Sequence, residues 1–320
     1  MVVVTPAVGV SCVAEAQYDM RRSFNLVTQL RIDGSLAVGC SRIEAATIHV
    51  FNAAPDPLAA DWQVFSNIEE KSMAVGVAVA GCRLQTGGMS FFIGIRNLNE
   101  DYFTSPVTAF FTNSSCGIFP VLSAGRPIAN YPMSALCADY RVKGEKWEFE
   151  SSLYNGMAHP GNRLDRIFRF RPRKEGLFGI SSINCNACGG RYFGGFFLHH
   201  RPSVRTASGG WVYVEQTILT RKERRVEMLL QYAARFSGRT DCRRYGAGGF
   251  LLSGFLLPSR NDRFGIVMNG ARYGAGLEKA LELTWRADLG PCLAIQPAFH
   301  FITNPDGKFT VATCRISLSF

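Results

Sequence analysis

Arg96, Asn97, Asn99, Glu100 and Asp101 crowd into six positions and run directly into Tyr102. Guanidinium, amide and carboxylate groups exchange hydrogen bonds with hydroxyls, and an aromatic ring accepts the C–H face of a pyranose. The set suits weak recognition of polyhydroxylated solutes rather than bond making. Further polar candidates sit on segments that alternate polar and apolar residues: Gln29, Arg31, Glu215, Arg225, Glu227, Glu282, Arg286, Gln296 and His300. Contacts along a path must be weak and multiple, because a solute held tightly cannot leave. The plainer reading of each is an ion pair or hydrogen bond bracing a wall, and His300 fits it best.

Other chemistries find less support. Glu148 and Glu150 share one face of a strand, and paired carboxylates can cleave glycosides. Residues two apart on a strand are about 7 Å apart and point the same way, so they do not flank a bond. Cys185 and Cys188 form a Cys-x-x-Cys pair with His199 and His200 nearby, but no second ligand pair has zinc-like spacing. The ten cysteines leave disulfide pairing open. No nucleophile motif or phosphate loop occurs. The basic clusters at Arg221 to Arg225 and Arg169 to Lys174 sit on no nucleic-acid module. Neither catalysis, nor a cofactor, nor a bound metal, nor nucleic acid is expected.

Something must hold the polar candidates in register, and the alternation shows what. Period-two segments bounded by turn residues fall at 7–18, 23–33, 43–52, 72–83, 89–97, 133–142, 147–155, 177–186, 189–199, 211–219, 225–236, 244–255, 263–273, 278–289, 291–303 and 309–320. On the last, Ala312, Cys314, Ile316, Leu318 and Phe320 take one face and Thr313, Arg315, Ser317 and Ser319 the other. Leu281, Leu283, Trp285, Ala287 and Leu289 oppose Glu282, Thr284, Arg286 and Asp288. Val226, Met228, Leu230, Tyr232 and Phe236 oppose Arg225, Glu227, Gln231 and Arg235. Phe24, Leu26, Leu30 and Ile32 oppose Asn25, Gln29, Arg31 and Asp33.

Connections after even-numbered strands are tight, as at Gln85-Thr-Gly-Gly88, Lys143-Gly-Glu-Lys146, Asn186-Ala-Cys-Gly189 and Gly290-Pro291. After odd-numbered strands many are long, notably at about 53–71, 98–132 and 156–176. Such asymmetry, an even strand count and a terminal strand ending on an aromatic residue are marks of an outer-membrane barrel. Composition agrees. Only 19% of residues are charged and 47% are hydrophobic, despite a net charge of +10. Lipid can cover that apolar surface, and scattered cations can line a wet interior. The longest apolar run, Met73 to Cys82, suits a tilted membrane strand and not a spanning helix.

The expected fold is therefore all-β: one transmembrane up-and-down antiparallel β-barrel over 1–320, with long extracellular loops and short periplasmic turns. The segment 98–132 carries Tyr102, Phe103, Phe110, Phe111 and Phe119. That is too apolar for a solvated or disordered loop, so it is expected to fold inward as a constriction loop, the alternative being an external lid packed on neighbouring loops. Met1-Val-Val-Val-Thr-Pro lacks the charged start and apolar run of a secretory signal, which suggests a processed, truncated or mis-started chain.

Several stretches resemble the carbohydrate-selective porin (OprB) family. They are Phe91-Phe-Ile-Gly-Ile-Arg-Asn-Leu-Asn-Glu-Asp-Tyr-Phe-Thr-Ser-Pro106, continuing through Phe111-Thr-Asn-Ser-Ser-Cys-Gly-Ile-Phe-Pro120 to Tyr131-Pro-Met-Ser-Ala-Leu136; Ser152-Leu-Tyr-Asn-Gly156 with Gly176-Leu-Phe-Gly-Ile180; and Glu278-Lys-Ala-Leu-Glu-Leu-Thr-Trp-Arg286 with Leu293-Ala-Ile-Gln-Pro-Ala-Phe-His-Phe-Ile-Thr-Asn-Pro-Asp-Gly307. Ala298 stands where that family often carries an acid, and His300 where it often carries glutamine. The resemblance implies a bacterial outer-membrane porin for passive, sugar-selective diffusion. Carbohydrates would be its permeating solutes and membrane lipid its surroundings, with barrel-assembly machinery engaging the C-terminal strand and homo-oligomerisation left open. A general or anion-preferring porin is the alternative, followed by a non-transporting β-rich sugar-binding surface protein.

Overall fold

A computed structural model describes residues 4–21, 23–54, 56–238, 241–255 and 262–320. The strands are β1 (Val4–Asp19), β2 (Ser23–Val38), β3 (Ser41–Asn52), β4 (Met73–Thr86), β5 (Met89–Arg96), β6 (Met133–Lys143), β7 (Trp147–Asn155), β8 (His159–Pro160), β9 (Leu177–Ala187), β10 (Gly190–Arg201), β11 (Val204–Arg221), β12 (Arg224–Ser237), β13 (Cys242–Ser253), β14 (Asp262–Tyr273), β15 (Leu277–Asp288), β16 (Leu293–Asn304) and β17 (Gly307–Ser319). All but β8 pair antiparallel with their neighbours in chain order. The ring closes where β1 meets β17, from Ser11↔Ser319 to Asp19↔Val311. Phe320 completes the seam, its amide donating to Val10 at 2.9 Å and its carbonyl accepting from Val10 at 3.1 Å. The result is a closed sixteen-strand barrel, as expected.

Alternation places the side chains as the sequence demands. Ile316 and Phe320 are exposed (46% and 74%), while Arg315, next to Ile316 and on the opposite face, keeps 8%. Leu230, Tyr232 and Phe236 are likewise exposed on β12, whereas Glu227, Leu229, Gln231 and Ala233 are buried on its inner face. Phe24, Ile43, Phe51, Ile93, Leu153, Ile183, Val212, Met268 and Phe299 extend this apolar exposure around the ring. Such a surface is unfavourable in water and comfortable in hydrocarbon.

Turn chemistry closes the hairpins at the end where the chain termini lie. Cys188 and Gly189 both have positive φ, 50° and 72°, the pattern of a type I′ turn joining β9 to β10. The long connections (53–72, 97–132 and 156–176) all leave the opposite end and all fall within the first half of the ring. In the second half, connections at both ends are short, and the one from β13 to β14 lies mostly outside the described residues. The expected asymmetry thus rests on three loops. One of them repairs the wall: β5 is only eight residues long, and His159 and Pro160 pair with Ser134 and Met133 beyond its end. Gly161 then accepts from the Val77 amide of β4 at 3.0 Å. A Cβ at Gly161 would lie 2.6 Å from the Val77 carbonyl oxygen, so only glycine permits the approach.

The interior corrects one expectation. It is not wet throughout. Phe103, Ile118, Phe119, Val121 and Leu122 of the 97–132 connection pack with Phe178, Phe197, Trp211, Tyr213 and Tyr245 of the wall in an apolar cluster. Inward Leu229, Leu251 and Val267 meet Val107, Phe110, Phe111 and Cys116 in a second. Gly265 makes room, since a Cβ there would lie 2.6 Å from the Phe110 ring and 2.8 Å from that of Phe111.

Candidate functional site

The barrel interior is built around two infolded loops. The 97–132 segment leaves β5 through short 3-10 turns (Leu98–Glu100, Thr108–Phe110, Ser114–Cys116) and a single helical turn, α1 (Pro120–Ser123). Side chains from across the ring seize its backbone. Glu282 on β15 accepts from the Thr112 amide (2.8 Å), the Thr112 hydroxyl (3.0 Å) and the Asn113 amide (3.0 Å). Glu215 on β11 accepts from the amide and hydroxyl of Thr108, both at 3.1 Å. Gln231 donates to the Cys116 carbonyl and Gln296 to that of Phe110. His300 Nε2 lies 3.2 Å from the Thr112 hydroxyl oxygen.

The sequence marks the second loop, 53–71, as a long connection but its infolding was not foreseen. In the 53–72 connection, Trp62 and Gln63 donate their amides to Glu278 at 2.7 and 2.8 Å. Phe65 packs against His300, and Arg315 donates to Asn67 at 2.9 Å. The two loops also join each other, through the Asn67 amide to the Thr112 carbonyl and the Ser114 amide to the Val64 carbonyl. Trp62 and Phe65, aromatic residues in a long connection, were the available signal.

Beneath the loops, toward the termini, the wall is polar. Arg31 pairs with Asp33 and Glu100. Arg96 bridges Glu44 and Asp101, and Arg141 bridges Asp101, Glu148 and Glu150. Arg191 pairs with Glu215, and Arg225 with Glu227. Three cavities open among them. One of about 280 Å³ presents Glu100, Asp101, Arg141, Glu150, Phe193 and Trp211. One of about 390 Å³ presents Arg31, Asp33, Glu44, Arg96 and Glu100. The largest, about 730 Å³, presents Arg191, Glu215, Arg225, Glu227 and Arg263. At the loop end, Trp62, Arg235, Asp241, Arg243 and Tyr273 surround a further 520 Å³.

The expected site residues therefore divide. Arg31, Arg96, Glu100, Asp101, Glu215, Arg225 and Glu227 border cavities of the vestibule. Glu282, Gln296 and His300 face inward as expected but lie behind the 97–132 loop and hold it. Asn97 is a buried cap whose side chain accepts from the Asn99 amide, and Asn99 in turn accepts from the Tyr131 amide. Tyr102 touches the smallest cavity, yet it is 3% exposed and its hydroxyl is committed to Ser152 and the Ile180 carbonyl. It props the loop rather than offering a free stacking face. Gln29 is half-buried on the inner wall, and Arg286 pairs with Asp288. His199 lies about ten residues along β10 from Cys188, roughly 30 Å, so those two cannot share an ion; all ten cysteines are free thiols.

Asp101 is pushed up to about 6 by burial, against the pull of Arg96. The second loop is more strongly perturbed. Burial, then Glu278 and Glu69, raise Asp61 to about 8. Burial, then Glu15 and Glu70, raise Glu69 to about 7. Gln17 eases Glu69 by hydrogen bonding, and Arg315 sits against Glu15. Carboxyls raised on folding favour the packed loop while protonated, and that contribution fades as pH rises through the folded values. Channel conductance is therefore expected to rise between pH 6 and pH 9 as the 53–72 loop loosens. The double variant Asp61→Asn, Glu69→Gln should flatten that rise in planar-bilayer recordings.

A closed sixteen-strand ring, apolar outside and narrowed inside by its own loops, defines the class: a membrane-spanning porin barrel. The family model described as carbohydrate-selective porin, OprB family, matches residues 192–316, which are essentially the last eight strands. Of the stretches that resemble this family in sequence, Glu278 to Arg286 and Leu293 to Gly307 lie inside the matched region, and those before residue 192 lie outside it. No curated protein matches the chain. Among solved structures, the high-pH form of Pseudomonas putida OprB is similar with a TM-score of 0.84 at 13% identity, over 98% of this chain and 94% of that one. Its low-pH form gives a TM-score of 0.66 at 11% identity, over 98% and 92%. A mutant Rhodopseudomonas blastica porin gives 0.65 at 8% identity, over 99% and 100%. At such identities these likenesses speak for the fold.

Proposed function

We propose that this protein lets sugars diffuse passively across the bacterial outer membrane, threading between the infolded loops and the barrel wall. The family match over 192–316 carries the reading. The 97–132 loop is the constriction, and the vestibule of Arg31, Arg96, Glu100, Asp101, Glu215, Arg225 and Glu227 supplies exchangeable hydrogen bonds on the termini side. Paired arginines and carboxylates alternate there, so a neutral hydroxylated solute finds donors and acceptors without meeting one dominant charge. Passive diffusion requires no catalytic group and no energy source. The barrel-assembly machinery would read the C-terminal strand through Phe320, and self-association of the barrel is compatible with its apolar exterior.

An anion-preferring porin is the second reading, favoured by Arg191, Lys222, Arg224, Arg225 and Arg263 around the largest vestibule cavity. Liposome swelling separates the two. Neutral mono- and disaccharides should enter faster than organic anions of matched size. Faster entry of the anions would favour the second reading, and equal rates would remove selectivity altogether.

A further inference from the structure

The 163–175 stretch of the third long connection borders none of the cavities described above. Between 163 and 175 it carries six cations, Arg163, Arg166, Arg169, Arg171, Arg173 and Lys174, against Asp165 and Glu175. Three of the guanidinium groups converge on one carboxylate. Asp165 lies 3.1 Å from Arg163, 3.7 Å from Arg166 and 3.8 Å from Arg169. One carboxylate cannot neutralise three cations, so an excess positive charge is held at a point open to the surroundings. Around it the helical turn α2 (Leu164–Ile167) and the residues after it turn apolar groups outward. Leu164, Phe168 and Phe170 are 57%, 55% and 55% exposed, whereas Ile167 is buried.

The segment starts from the wall itself, where His159 and Pro160 pair with β6 and Gly161 accepts from β4. At this end of the ring Phe51, Val75 and Leu153 belong to the apolar exterior. Cations and exposed phenyl groups thus lie together at the rim of a lipid-facing band. A soluble anion has no use for the phenyl groups.

We propose that Arg163, Arg166 and Arg169, with Phe168 and Phe170, dock a phosphorylated glycolipid of the outer leaflet. Its phosphates would join Asp165 among the arginines, with its acyl chains lying along the phenyl rings and the apolar wall. The inference rests on the outer-membrane reading but not on sugar passage.

The test uses the full chain in neutral detergent, with native mass spectrometry counting bound lipid. The probes are purified bis-phosphorylated lipid A, its dephosphorylated form and inorganic phosphate. Lipid A should be retained, and the dephosphorylated form should not. The triple variant Arg163→Gln, Arg166→Gln, Arg169→Gln should lower retention by about tenfold or more, as expected when several surface cations facing an anionic lipid are removed. Phe168→Ser with Phe170→Ser should weaken retention of lipid A too. Unchanged retention in the triple variant, or displacement of lipid A by millimolar phosphate, would overturn the proposal. Heat-modifiable migration on detergent gels checks that each variant is folded. Swelling assays on the same preparations keep the two readings apart: intact sugar entry with no lipid retention removes only this proposal, and the reverse removes only the channel.

Discussion

Replacing Glu282 with alanine is expected to raise single-channel conductance severalfold while leaving the barrel closed. The Thr112 and Asn113 amides of the 97–132 loop lose their acceptor together, and the Thr112 hydroxyl is left with His300 alone. Each buried donor left orphaned costs about 1–3 kcal/mol, enough to release this stretch of loop from the wall. The barrel strands lose nothing comparable, because β15 keeps its ladders to β14 and β16. Glu282→Gln retains an acceptor oxygen and should show a smaller rise. Gln296→Ala removes the single bond to the Phe110 carbonyl and should do least. An unchanged conductance in folded Glu282→Ala would mean the loop does not limit the path.

The second large effect is expected on the opposite face. Leu230→Arg places a charge among the exposed apolar residues of β12. A surface Leu→Arg change in water would be nearly harmless, since the site is already exposed. In hydrocarbon it costs about 2–4 kcal/mol near the bilayer midplane. Folding yield into lipid vesicles, read by heat-modifiable migration, should fall sharply. Gln231→Asn, one position along and facing inward, should fold almost as the parent does. Equal yields for the two variants would argue that lipid does not cover this face.

Much of this architecture was legible because alternation is a local property. Sixteen segments and their inward and outward faces follow from period two alone. The strand read at 211–219 extends to Val204–Arg221 and so takes in Gly209 and Gly210, a residue type that weakens a strand signal. In the structure they are strand residues, and the space a side chain would need is taken by Phe197 and Phe236. The infolding of 97–132 was readable from its phenyl groups. The partners holding it were not: Glu282 is 170 positions from Thr112, and nothing local marks it as an anchor rather than a path residue. The dry part of the interior had a faint signature in inward-facing Leu229, Leu251 and Val267, which break the polar alternation. The 53–72 loop was not read as folding inward, although Leu58, Trp62, Val64, Phe65 and Ile68 give it an apolar content of its own.

Planar-bilayer recording with sugar added to one side tests the account most directly. Purified protein should insert in discrete conductance steps, and neutral sugars should depress the ion current in a saturable manner as they compete for the vestibule. Absence of steps from folded, heat-modifiable protein, or a current indifferent to sugar yet reduced by matched organic anions, would contradict it.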